Sequence, residues 1–171
     1  MKTILSTLVT TLVVLLARAD DGTNGLWSFA AALQKTAQNE PPPVALTASL
    51  KTVGGKLFLA FRLTNISGKP FRPYPCQLPW GSPQSLELAA VTTDGTPFRY
   101  ALAESNPDTE ERIVLPPGAS REGDYRLSWA LGYPAAAREK DVVVIWAYRV
   151  PVERHGPRAV CTGVVVIPKK Q

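Results

Sequence analysis

The chain has 171 residues, 45% of them hydrophobic and 19% charged, a balance that excludes a disordered polymer and suits a globular domain. Its formal charge of +5 comes from lysines and arginines scattered among acids. The only basic run, Lys169-Lys170, is too short for a nucleic-acid interface or a membrane-surface patch, so neither partner is expected.

Met1-Lys2 leads into the apolar run Ile4 to Leu16, which closes on Ala17-Arg18-Ala19. A charged start, a short greasy stretch and a small-x-small close are the parts of a secretory signal peptide. The run is too short to span a bilayer as a helix, so no stable membrane insertion is expected once the leader is cut. Residues 1–19 are therefore expected to be the signal, and the location periplasmic or secreted. Loss of Lys2 and Arg18 would bring the charge from +5 to about +3. About 150 residues would remain, enough for one full hydrophobic core.

Residues 20–43 form an arm and a linker. Leu26, Phe29, Ala30 and Leu33 recur at helical spacing, with Thr23 or Asn24 available as the N-cap. The spacing predicts a short helix, which Pro41-Pro42-Pro43 ends by imposing an extended backbone. The main domain is expected over residues 44–171.

From Val44 the pattern becomes strands and turns. Leu46, Ala48 and Leu50 alternate, Gly54-Gly55 signals a hairpin, and Leu57, Leu59, Phe61 and Leu63 return on one face. Asn65-Ile66-Ser67-Gly68 ends that strand as a polar turn; its first three residues also match a glycosylation sequon. Pro70, Pro73, Pro75, Pro79 and Pro83 make the next stretch an edge strand or a crossing loop. Leu86 to Val91 is a strand, Asp94-Gly95 a hairpin turn, and Pro97 to Leu102 its return. Ile113 to Leu115 reads as a short strand before the Pro116-Pro117-Gly118 turn, and Tyr125, Leu127 and Trp129 alternate in the strand after it. Val142 to Tyr148 is apolar on both faces, as in a central strand, and Val160 to Ile167 closes the domain. The spacing indicates an all-β, immunoglobulin-like antiparallel sandwich with a short N-terminal helical arm.

Cys76 and Cys161 are the two cysteines. In an exported chain an even count reads as one disulfide, here closing a long loop for roughly 4–5 kcal/mol in the chain-entropy model. A metal site lacks support in the residues, because His155 is the single histidine and no Cys-x-x-Cys spacing exists.

No residue pattern calls for catalysis or a cofactor. Gly-x-Ser-x-Gly, His-Glu-x-x-His and phosphate-loop motifs are missing, and His155 sits in the turn Arg154 to Pro157. Asp108, Glu110 and Glu111 lie in a hydrophilic loop beside Arg112, the pattern of a solvated, locally neutralised segment. The aromatics carry the better signal. Trp80 stands in the proline-stiffened loop Leu78 to Pro83, where an indole is either displayed as a binding anchor or folded back over the end of the sandwich. Tyr74, Trp80 and Gln84 are the candidate binding residues.

Leu63-Thr64-Asn65, Asp94-Gly95, Leu115-Pro116-Pro117-Gly118, Trp129 and Ile167-Pro168-Lys169 give the stretch 44–169 a familiar outline. It resembles small exported bacterial proteins with an immunoglobulin-like sandwich. More loosely, it resembles the BsuPI-type proteinase-inhibitor domain, which has a strand-Asn turn, an Asp-Gly hairpin and a Leu-x-Pro-Gly turn before a Trp strand. The proline-rich segment around Cys76 departs from that pattern. The expectation is an exported, non-catalytic interaction domain that binds an envelope or secreted protein, in an inhibitor- or immunity-like role. The alternative is a module binding carbohydrate or peptidoglycan fragments through the aromatic loop.

Overall fold

The computed structural model describes residues 42–93, 111–129, 139–151 and 159–169. The leader, the arm, the Asp94-Gly95 hairpin, the Asp108 to Glu110 acids and His155 lie outside them. The described part is all-β, with two antiparallel sheets of three strands each. The first sheet runs in the order β1 (Val44–Val53), β2 (Lys56–Asn65), β4 (Ser120–Arg126). The second runs β3 (Leu86–Thr92), β5 (Val142–Arg149), β6 (Val160–Ile167). Among the described residues, no helix is long and apolar enough to cross a membrane.

The β1–β2 hairpin follows from its sequence. Gly54 and Gly55 have φ of 55° and 71°, the left-handed pair that matches a two-residue turn to strand twist. That turn fixes the register, with Leu50 opposite Leu59, Ala48 opposite Phe61 and Leu46 opposite Leu63. β5 is the central strand that its two-sided apolar pattern implies, and Val144, Ile145, Trp146, Ala147 and Tyr148 are all buried.

One hydrophobic cluster draws on both sheets. Leu59, Phe61, Leu63 and Tyr125 come from the first, and Leu86, Leu88, Val144, Trp146 and Tyr148 from the second. Phe61 and Trp146 meet edge to face, with centroids 5.3 Å apart and planes at 88°. Such a pair contributes about 0.5–1.5 kcal/mol beyond the area it buries.

Two expectations need correction. The strand foreseen from the alternation of Tyr125, Leu127 and Trp129 lies earlier: β4 ends at Arg126, and Leu127–Trp129 is a 3-10 turn. On the core side of β4, Gly123 and Tyr125 stand opposite Phe61 and Leu59, while Arg121, opposite Leu63, is exposed. A glycine in the middle of that face hides the alternation. Ile113 to Leu115 is also no strand of its own; Leu115 makes a single bridge to Phe71.

The disulfide is likewise not formed, and Cys76 and Cys161 are free thiols. Cys161 is buried in β6, opposite Tyr148 in the ladder, and its Sγ–H points to the Val44 carbonyl at 3.5 Å. The Tyr148 hydroxyl donates to the Gln77 carbonyl at 3.0 Å, next to Cys76. The phenol ring thus stands between β6 and the turn that carries Cys76.

Candidate binding surface

The segment from Ile66 to Ser85 crosses from the first sheet to the second, and hydrogen bonds hold it at each stage. Phe71 and Leu115 exchange two backbone bonds of 2.9 Å, and Ile113 N donates to the Pro73 carbonyl at 2.9 Å. Pro75–Gln77 forms a 3-10 turn, closed where the Tyr74 amide donates to Gln77 Oε1 at 2.9 Å. Ser85 Oγ–H reaches the Pro79 and Ser82 carbonyls, each at 2.7 Å. Two buried tyrosines then fasten the loop to both sheets. Tyr125 of β4 donates to the Pro83 carbonyl at 2.9 Å, and Tyr148 of β5 to that of Gln77. Prolines remove ladder donors from this segment, and tyrosine hydroxyls bonded to its carbonyls supply the missing attachment.

Trp80 is folded back. It packs against the core cluster, and a Cβ at Gly123 would overlap the face of its indole. Gly123 therefore leaves a slot in β4 that Trp80 fills from a loop more than forty residues away in the chain. Tyr74 has a different partner: the Arg112 guanidinium lies 4.7 Å from its ring centroid, within cation–π range. Gln84 is exposed, and its backbone amide donates to Ser82 Oγ at 3.2 Å. Tyr74 and Trp80 are thus held by separate neighbours, and each ring has one face occupied.

The outer face of the β1–β2–β4 sheet holds a depression that the strand pattern did not single out. Its centre is the row Ser49–Ala60–Asp124, beside the row Thr47–Arg62–Glu122. Ala60 is the small residue between them, and the space is about 370 Å³. Lys51 Nζ reaches Asp124 Oδ2 at 2.5 Å at one end, and Arg62 stands 3.9 Å from Glu122 at the other. All four are well exposed, so their pairing contributes little to stability and is easily exchanged. The residues come from three strands spread over seventy-odd positions, so only the register brings them together.

Among the described residues, no group of three or more His, Cys, Asp or Glu side chains is placed to hold a metal ion. Burial pushes the Cys161 thiol up to about 11. Burial, and then the neighbouring Cys161, raises the Tyr148 phenol further. Both groups are neutral packing elements at physiological pH.

The sequon has a structural role. Asn65 is fully buried; its Nδ2 donates to the Lys69 carbonyl at 2.8 Å and the Leu115 carbonyl at 2.9 Å. Its Oδ1 accepts from the Ser67 amide and hydroxyl. Both amide hydrogens are used, so the folded protein offers no acceptor nitrogen there.

The sequence matches no family model, and no curated protein matches it either.

Proposed function

We propose that this chain is an exported, non-catalytic interaction domain that binds a protein partner in the envelope or outside the cell through the outer face of the β1–β2–β4 sheet. The observation that carries this reading is the Ala60 depression, bracketed by the Lys51–Asp124 and Arg62–Glu122 pairs. Exposed pairs of opposite sign can trade partners at low cost, so charged side chains of an incoming protein can replace the internal contacts. A standard interface covers about 800 Å² per partner, an area a three-stranded face and its edges can supply.

Within this proposal the two sheets form an immunoglobulin-like sandwich. The shared core and the Phe61–Trp146 contact support it. The resemblance to BsuPI-type inhibitor domains favours an inhibitor- or immunity-like form of the role. Two of the turn signatures behind that resemblance belong to one unit: Asn65 bonds the Leu115 carbonyl, and the Gly118 amide bonds the Asn65 carbonyl at 2.8 Å. The leader-like residues 1–19 support export to the periplasm or beyond.

Affinity capture from envelope extract with the full chain tests the proposal. One discrete protein should be retained by the wild type and lost in Ala60→Arg, which fills the depression. Capture unaffected by Ala60→Arg would overturn it.

A further inference from the structure

The first sheet ends on β1, and the backbone along its free side has a defined phase. The Pro43 carbonyl accepts from the Ile66 amide, so in the β1–β2 register the odd-numbered residues of β1 bond β2. Asn65, opposite Val44, turns its amide and carbonyl to Ala119 and Gly118 instead, which fixes the same phase. The N–H and C=O groups of Leu46, Ala48, Leu50 and Thr52 therefore point away from the sheet. The Val44 carbonyl shares this phase and accepts the Cys161 Sγ–H. Beyond it, nothing among the described residues bonds those four. β1 has ten residues, no proline and Lys51 as its one charge, whereas β4 at the other end of the sheet carries Arg121, Glu122, Asp124 and Arg126. Charges and prolines are what keep sheet edges apart, and β1 has one of the former and none of the latter.

What fits this edge is written in its own sequence. Leu46-Thr47-Ala48-Ser49-Leu50 reads the same in both directions by chemistry: leucine, hydroxyl, alanine, hydroxyl, leucine. A two-fold interface needs such self-complementarity, because each residue meets its mirror position on the other copy. With the axis at Ala48, Ala48 faces Ala48, Leu46 faces Leu50 and Thr47 faces Ser49. The core-side chains Leu46, Ala48 and Leu50 are only half-buried, and the exposed Thr47 and Ser49 are a favourable cross-strand pair. Lys51 falls beside Ala45 of the other copy, and the two lysines stand about 20 Å apart, beyond the Debye length. Moving the axis to Ser49 would set Leu46 against Thr52 and Leu50 against Ala48, so the leucine pairs select Ala48.

We propose that two copies of this chain pair antiparallel along β1, about a two-fold axis at Ala48, to make one continuous six-stranded sheet. The half-buried leucines of each copy cover one another across the join. Both Ala60 depressions then open on the same face, and the pairing does not depend on what binds there.

Sedimentation of the purified full chain tests this. A single strand edge is a small interface of the reversible kind, so the mass should rise from one chain to two with concentration. Ala48→Pro removes an outward N–H that β2 does not use, and should weaken association at least tenfold. If that variant does not fold, Thr47→Glu with Ser49→Glu decides. Arg62 and Lys51 offset these carboxylates within one chain, but across the axis each faces a like charge. Mixing Thr47→Cys with Ser49→Cys, each also carrying Cys76→Ser, reads the register. These positions face each other at about 4.5 Å between Cα atoms, so the mixture should form an intermolecular disulfide well beyond either variant alone. A monomer at about 100 μM, association that survives the substitutions, or crosslinking no greater in the mixture overturns the proposal. Partner capture at the Ala60 depression is a separate measurement, so a monomeric chain that still captures one overturns the dimer alone.

Discussion

Asn65 and Leu115 are fifty positions apart, yet the Asn65 side-chain nitrogen donates to the Leu115 carbonyl at 2.9 Å in a buried contact. This bond joins the turn that ends β2 to the Pro116-Pro117-Gly118 turn that begins β4. Two further bonds complete the joint: the Asn65 amide donates to the Ala119 carbonyl, and the Gly118 amide to the Asn65 carbonyl. The outer face of the first sheet depends on it, because it sets where β4 enters the ladder and hence which residues flank Ala60.

Asn65→Ala should destabilise the fold by about 2–4 kcal/mol, since two carbonyls lose their donor at a buried site. Asn65→Asp should do comparable damage, because an ionised carboxylate can only accept and would face two carbonyl oxygens. Urea unfolding should show a lower midpoint at unchanged slope for both.

Gly123→Ala should cost about 1–3 kcal/mol, because the added methyl overlaps the Trp80 indole. Trp80→Ala leaves a void at the same place and is also destabilising. The double variant should be less destabilised than the sum of the two, by more than about 0.5 kcal/mol. Additive costs in a thermal or urea double-mutant cycle would show that the two residues do not share the slot.

Tyr148→Phe and Tyr125→Phe each remove one fastening of the crossing loop, at Gln77 and at Pro83. Each should cost about 1–2 kcal/mol. Amide exchange should speed up first in residues 75–85, while β2 and β5 stay protected.

The protein should lose stability on the alkaline side. Burial pushes the Cys161 thiol up to about 11, so the unfolded chain releases that proton at lower pH than the folded one. The unfolded state then binds fewer protons, and stability falls as pH rises between about 9 and 11, at about 1.4 kcal/mol per unit for one group. Below that window the contribution is fully present. Cys161→Ala should flatten the slope in pH-dependent urea unfolding, leaving the part due to Tyr148.

Much of the fold was legible in the residues. The Leu–Leu–Phe–Leu alternation with Gly54-Gly55 specifies the β1–β2 hairpin, and two-sided apolarity marks β5 as central. β4 was hidden for a physical reason: its middle core position is Gly123, and the side chain that fills the space is Trp80, supplied by another segment. Compartment chemistry speaks to cysteine number and not position, so it could not foresee that Tyr148 would stand between the β6 thiol and the Cys76 turn. The candidate surface was less legible. Lys51, Ala60, Arg62, Glu122 and Asp124 look like ordinary solvent-side residues one strand at a time, and only cross-strand register assembles them. The aromatic loop was visible as a rigid feature, but sequence could not decide which way Trp80 turned.

Site-specific photocrosslinking tests the binding reading most directly, with a photoreactive side chain placed at Ala60 in one variant and at Gln84 in another, each challenged with envelope extract. The account predicts one discrete crosslinked protein from position 60, weakened by raised salt because exposed charges frame the site. Crosslinks confined to position 84, or none at position 60 while the variant remains folded, would contradict it.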